Sequence, residues 1–405
     1  MRRGFQALAV LVLLAVACTT AGADMKADFY GYVKLDASLD SALTNDGNYV
    51  YYVLPYAEDD EKSEFNMTAK QTRLGLKLSG GGTDKIDLSG VIEFDFYGAG
   101  GENKSSPMLR KAYMLWKTEH VDILAGQTSD VISPIVPTTL NYIVLWKSGD
   151  IGYRRPQIRL SKAAQVGGGS EIKLELAATR SMGDQDGGGE VVGTPGFQGR
   201  FSFGTEIMGY PATVGVSGLA GSEEACYEDT DLDIDVTSEI DQSVVAVDLT
   251  LPLGHMVSAK GQYFTGKNLK NYLGGVGQSF AVVSPEQTVQ PERTRDAELV
   301  EIEASGWWAQ LSVKPNKSWQ FNVGAGTDDP EIDADYLDGT YFDKNTTYYG
   351  NVMWTVAPAA IVGVEYSMFE TEYATVFWNE VAQKREMTTE SYENSRVQLS
   401  FMYKF

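Results

Sequence analysis

The chain has 405 residues, a net charge of −22 and two cysteines. Its length exceeds an ordinary small domain, and its acidity excludes a nucleic-acid partner, whose phosphates would be repelled. With Cys18 near the start and Cys226 far from it, no disulfide framework organises the fold.

The first residues read as a secretory signal. Arg2 and Arg3 form a positive start, Leu8 to Ala17 is a short apolar run, and Ala21-Gly22-Ala23 fits a small-x-small cleavage site. The run is too short to be a spanning helix. Ala15-Val16-Ala17-Cys18 only loosely matches a lipoprotein box, since Ala15 stands where Leu is wanted, so Cys18 is expected to leave with the signal. Cleavage after Ala23 leaves 382 residues and, with two arginines gone, a net charge of −24. No later segment is an apolar run of membrane-helix length, which leaves a soluble protein or a β-barrel.

Period-two segments then follow one another. Sixteen begin near Phe29, Phe65, Ile86, Leu109, Val121, Gln157, Ile172, Phe197, Ala212, Val244, Val257, Leu299, Trp319, Tyr348, Ile361 and Arg396. The connections alternate in length. Asp40–Glu64, Gly98–Ser106, Thr128–Arg155, Gly183–Gly196, Ser222–Asp241, Gly266–Ala297, Thr327–Asp343 and Thr371–Ser395 are the longer ones, whereas connections such as Ser79–Asp84, Thr118–His120 and Pro252–His255 between them are short. Short turns on one side and long loops on the other characterise bacterial membrane barrels, and a soluble sandwich has no reason for them. The last segment, Arg396 to Phe405, puts Val397, Leu399, Phe401, Tyr403 and Phe405 on one face and ends on an aromatic residue. Phe401, Tyr403 and Phe405 look like the signal read by the barrel-assembly machinery. The expected architecture is all-β: one transmembrane antiparallel β-barrel over 24–405, with about sixteen strands and an inward-folded third long loop.

Alternation assigns faces. In Ile86–Phe96, Ile86, Leu88, Ile92 and Phe94 should meet lipid, and Glu93 and Asp95 the lumen. Ile158 and Leu160 should point out, with Gln157 and Arg159 pointing in, and Gln198, Arg200 and Ser202 also pointing in. The faces of Leu109–Lys117 stay unassigned. Thr128–Arg155 is unusually apolar for an exposed loop and carries Asp130, Pro134, Pro137 and Asn141. Such a stiff apolar loop should pack on the inner wall or on a neighbouring subunit.

Four stretches carry a family likeness: Asp28-Phe-Tyr-Gly-Tyr-Val-Lys-Leu-Asp36, Gln71-Thr-Arg-Leu-Gly-Leu-Lys77, Gly126-Gln-Thr-Ser-Asp130 and Ile151-Gly-Tyr-Arg-Arg-Pro-Gln-Ile-Arg159. With them the chain resembles the DcaP-like porin family over nearly its whole mature length. The resemblance implies a sixteen-stranded barrel, a homotrimer and a pore for small acids, dicarboxylates among them. The coiled-coil segment of some members is not expected here, because the first strand starts close to the cleavage site.

Charged rings set pore selectivity, and Arg and Lys favour anions. Lumen parity gives Lys34, Arg73, Arg155, Arg159, Arg200 and Lys260 as basic candidates, and Asp36, Glu93 and Asp95 as acidic ones. Arg suits carboxylates because its planar fork binds them bidentately. These charges can equally pair with one another and stiffen the interior. Most of the acidity lies elsewhere, in Ser222–Asp241 with nine carboxylates and Thr327–Asp343 with seven. Asp229, Asp231, Asp233 and Asp235 alternate, but Val236 stands where a calcium loop needs Gly, so no specific metal is expected. Gly261-Gln-Tyr-Phe-Thr-Gly-Lys267 lacks the Ser or Thr of a phosphate loop. His120 and His255 both fall at short turns, away from any nucleophile, so neither a cofactor nor an enzyme is expected. The alternatives to an anion-favouring pore are a general or cation-preferring pore, and a plugged barrel acting as a structural or adhesive surface protein. Lipopolysaccharide and outer-membrane lipid are expected around it.

Overall fold

The computed structural model describes residues 25–57, 62–98, 105–183, 188–229, 234–283, 298–333, 337, 339–379, 381–382 and 384–405. The signal expected over residues 1–23, and the alternating Asp231 and Asp233, lie outside these. Among the described residues the strands are β1 (Lys26–Asp40), β2 (Glu64–Thr68), β3 (Arg73–Ser79), β4 (Ile86–Asp95), β5 (Met108–Thr118), β6 (Asp122–Ser129), β7 (Arg154–Gly167), β8 (Ser170–Thr179), β9 (Gly196–Ile207), β10 (Tyr210–Asp229), β11 (Ile234–Pro252), β12 (Val257–Lys267), β13 (Phe280–Val283), β14 (Glu298–Glu301), β15 (Glu303–Val313), β16 (Trp319–Pro330), β17 (Gly339–Ala357), β18 (Ala360–Asn379) and β19 (Lys384–Lys404). β13 and β14 form a separate hairpin.

The others make a closed antiparallel barrel. β2 and β3 both pair with β1 and form one interrupted wall strand. At the interruption the Thr72 hydroxyl accepts the Lys34 N–H at 3.1 Å. Each wall strand pairs with the next, and β1 pairs with β19 from Tyr32↔Lys404 to Asp40↔Arg396, giving sixteen wall strands. Closure leaves no sheet edge, as a strand structure in lipid requires.

Burial is inverted relative to a water-soluble protein. On β1 Val33 and Leu35 are 54% and 38% exposed, whereas Lys34 and Asp36 are 2% and 5% exposed. β7 and β9 repeat this, with Ile158, Leu160, Phe197 and Phe201 exposed and Gln157, Gln198, Arg200 and Ser202 buried. Period two sends alternate residues to opposite faces, so an apolar outer row and a polar inner row fit a wall between hydrocarbon and lumen. At the turn end of β16 and β17, Trp319 stacks on Trp354 at 5.5 Å, both exposed, as in an interfacial aromatic girdle.

Three expected loops turn out shorter. β10 and β11 stay paired from Ser222↔Asp241 to Asp229↔Ile234. β18 and β19 stay paired through the expected loop Thr371–Ser395, as far as Asn379↔Lys384. β16 runs on to Pro330, and β17 begins at Gly339. Beyond the hydrocarbon no face has to be apolar, so these extensions carry no hydropathy signal. The segment read as starting near Leu299 divides: β14 belongs to the hairpin and the wall resumes at Glu303.

Candidate pore lining

The segment between β6 and β7 is fixed along its backbone by side chains of the buried row. The Val131 N–H donates to Gln198 Oε1 at 2.6 Å, and Gln262 Nε2 donates to the Ile132 carbonyl at 2.7 Å. The Thr138 N–H donates to Gln310 Oε1 at 2.6 Å, and Asn351 Nδ2 donates to the Thr138 carbonyl at 2.8 Å. Glu365 accepts the N–H of Leu140 at 2.6 Å and of Asn141 at 3.1 Å. Lys34 Nζ and Gln398 Nε2 both donate to the Leu140 carbonyl at 2.9 Å. These partners come from β9, β12, β15, β17, β18, β1 and β19. Backbone polar groups of an irregular segment need such partners when buried.

The same segment has an apolar base. Ile132 and Ile151 pack with Leu269 and Tyr272, from the segment after β12, against Leu219, Val244, Ala246, Phe264 and Ala304 of the wall. Gly149 (φ 106°) lies where a Cβ would come within 2.0 Å of the Trp307 carbonyl oxygen, so only glycine allows this approach. Tyr97 stacks on Tyr142 with ring centroids 4.0 Å apart, and Tyr49 packs beside both, joining three connecting segments. Asp130, Pro137 and Asn141 are buried, and Pro134 is exposed.

The predicted charges separate into two groups. Arg155 is fully buried: it pairs with Asp130 at 2.7 Å and lies 3.8 Å over the Tyr272 ring. That ion pair is close in distance but poorly aligned as a hydrogen bond. Arg155 Nη2 also donates to the Asn271 carbonyl at 3.0 Å. Arg200 is bidentate to Asp248 at 2.9 and 2.7 Å. Lys34 pairs with Asp36 at 3.1 Å, and Asp36 also accepts from Gln398 and Ser400. Lys260 Nζ donates to the Val136 carbonyl at 2.5 Å. These four cations hold wall and loop.

The second group, Arg73 and Arg159, keeps access to solvent, and Lys173, which was not among the expected charges, joins it. The side chains of Arg73, Arg159 and Lys173 are 22%, 16% and 39% exposed, against 4% for Glu93 and 0% for Asp95. Arg73 Nη1 lies 3.7 Å from Glu93, and its guanidinium sits 5.3 Å from the Tyr32 ring centroid. Arg159 donates to the Ser129 carbonyl at 2.6 Å and lies 3.6 Å from Glu175.

Arg110 and Lys111 lie in Leu109–Lys117, whose faces the alternation does not assign. The β4–β5 ladder shifts between Glu93↔Lys111 and Phe94↔Leu109, which leaves Arg110 as an extra residue. Such a bulge flips the alternation beyond it. Leu109 and Met114 are both exposed although five positions apart, an inconsistency that marks the bulge. Arg110 Nε donates to Glu93 at 3.2 Å, and its Nη1 donates to Asp95 and, at 3.0 Å, to the Tyr142 hydroxyl.

The remaining predicted positions are placed simply. Gly261–Lys267 is part of β12, and His120 and His255 lie at turns. Phe401 and Tyr403 belong to the exposed outer row. Phe405 and Gly31 exchange two backbone hydrogen bonds of 3.1 Å at the β1–β19 seam. Among the described residues no cluster of His, Cys, Asp and Glu could hold a metal ion.

A closed sixteen-stranded barrel with an apolar exterior and a polar, charged interior defines a class, the porin-type membrane β-barrel. The chain is similar to the outer membrane channel DcaP of Acinetobacter baumannii, with a TM-score of 0.68 and 18% identity over 94% of this chain and 97% of that one. It is also similar to the anion-selective porin of Comamonas acidovorans (TM-score 0.56, 10% identity, 94% and 100% covered). In-vitro folded OmpT of Vibrio cholerae in its trimer form gives a TM-score of 0.55 at 12% identity, with 94% and 99% covered. No protein-family profile matches the chain, and no curated protein matches it.

Proposed function

We propose that this chain is an outer-membrane diffusion porin that favours small organic anions, dicarboxylates among them. The observation that carries this reading is the unequal exposure of lumen charges on β3 to β8. Arg73, Arg159 and Lys173 reach solvent while Glu93 and Asp95 are covered. A passing solute therefore meets positive charge first, in a confined space where such charge selects anions. The segment 128–155 acts as an inward-folded constriction loop that is held to strands around the barrel, from Gln198 and Glu365 to Asp95 and Arg110, and leaves Arg73, Arg159 and Lys173 with access to solvent beside it. Solutes move down their gradient, with no chemistry and no cofactor.

The resemblance to DcaP-like porins supports the dicarboxylate preference and a homotrimer, and the trimer form of the Vibrio cholerae barrel agrees with the latter. Residues 1–23 direct export and are cleaved, Phe401, Tyr403 and Phe405 engage the assembly machinery, and lipopolysaccharide and outer-membrane lipid surround the barrel. Single-channel recording of the purified protein in a planar bilayer under a salt gradient tests the reading. Stepwise conductance with an anion-side reversal potential is expected. A cation-side potential would make it a cation-preferring porin, and absence of conductance from folded protein would make it a plugged surface barrel.

A further inference from the structure

The two carboxylates best placed to oppose an anion path are Glu93 and Asp95, on the lumen row of β4. On a regular ladder they would face the solute beside Arg73 and Lys111, two acids against two bases. The structure instead gives them a dedicated partner. The bulge inserts Arg110 at this point, so that Arg110 and Lys111 follow one another on the lumen side. Arg110 bonds both carboxylates, to Glu93 through Nε at 3.2 Å and to Asp95 through Nη1. Two tyrosine hydroxyls complete the arrangement: Tyr30 donates to Glu93 at 2.9 Å, and Tyr142 donates to Asp95 at 3.2 Å. Both acids are almost fully buried beneath these contacts, and Arg110 is itself 11% exposed.

Arg73 and Lys111 are used differently. Arg73 stays 3.7 Å from Glu93, its Nε has no hydrogen-bond partner, and it keeps solvent access. Lys111 stands across the ladder from Glu93. Neither is consumed by a close pair of the kind Arg110 makes.

We infer that Arg110 is a positioning residue for selectivity: the bulge supplies it to absorb Glu93 and Asp95, which frees Arg73 and Lys111 to face the solute. Arg110 adds little attraction of its own, because its charge is spent on the two acids. Removing it therefore exposes two negative charges, whereas removing Arg73 deletes one positive charge. The inference rests on the porin reading of the same lumen.

The experiment compares reversal potentials in a potassium chloride gradient for the wild type, Arg73→Gln, Arg110→Gln, and the triple variant Arg110→Gln/Glu93→Gln/Asp95→Asn. Arg73→Gln and Arg110→Gln remove the same formal charge. Arg110→Gln is expected to lower the anion-to-cation permeability ratio about threefold or more, and further than Arg73→Gln does. The triple variant is expected to return to the wild-type ratio or above it. An Arg110→Gln shift no larger than that of Arg73→Gln overturns the inference, as does a triple variant that stays below the wild type. Should Arg110→Gln fail to fold with its acids unpaired, the triple variant, which lacks those acids, decides alone. A wild type without anion preference would refute the proposed function, while the comparison between Arg110→Gln and Arg73→Gln would still decide this inference.

Discussion

Glu365 on β18 accepts the backbone N–H of Leu140, 225 residues away in sequence, at 2.6 Å, and the adjacent Asn141 N–H at 3.1 Å. One carboxylate thus ties the segment 128–155 to the β18 wall. Glu365→Ala orphans both donors, at about 1–3 kcal/mol each. The variant should unfold at lower temperature in a heat-modifiability gel, and its single channels should be larger and noisier. Unchanged conductance in a folded variant would show that this segment does not narrow the path.

Arg155 behaves differently from Arg73 because of where the loop returns to the wall. It is sealed beneath Tyr272 with Asp130, and Asp130 also accepts from Gln198 at 2.7 Å and from the Tyr153 N–H at 2.8 Å. Arg155→Ala strands a buried carboxylate, so a loss of about 3–5 kcal/mol is expected. Denaturant titration should show that loss, with a reversal potential close to the wild-type value. A large selectivity change at unchanged stability would return Arg155 to the pore lining.

The residues that decided the fold were legible in the sequence, but those that decide the site were less so. Alternation placed Ile158, Gln157, Phe197 and Gln198 on their faces because hydrocarbon and water demand opposite side chains. It failed at Leu109–Lys117, where one inserted residue breaks the period. It also failed beyond the bilayer, as in Thr371–Asn379, where both faces of the strand can be polar. Parity assigned Arg155 and Arg159 to the same row correctly. It could not tell that Arg155 would be covered, because coverage depends on Asn271 and Tyr272 of the segment after β12, more than a hundred residues later.

Asp150 should give the barrel a pH dependence. Its carboxyl is fully buried, and the Trp308 indole and Ile151 N–H face it without normal hydrogen-bond geometry. Burial pushes its pKa well above the ordinary carboxylate value of 3.8. The unfolded chain loses this proton first, so the contribution to stability is full below that ordinary value and falls as pH rises above it. Denaturation midpoints measured from pH 4 upward should decline in the wild type and decline less in Asp150→Asn. Identical pH slopes would place the dependence elsewhere.

Phe405 closes the seam through its two backbone bonds to Gly31. Deleting it should lower the yield of folded, heat-modifiable barrel in the outer membrane more than Phe405→Tyr does. Equal yields would limit its part to a side-chain contact.

The most direct measurement is the zero-current potential of wild type and the Arg73→Ala/Arg159→Ala double variant across a planar bilayer in a tenfold salt gradient, roughly the range over which screening changes strongly. An anion-side potential is expected for the wild type, and a clear shift toward the cation side in the double variant at similar conductance. An identical potential in both would contradict the basic wall as the source of selectivity.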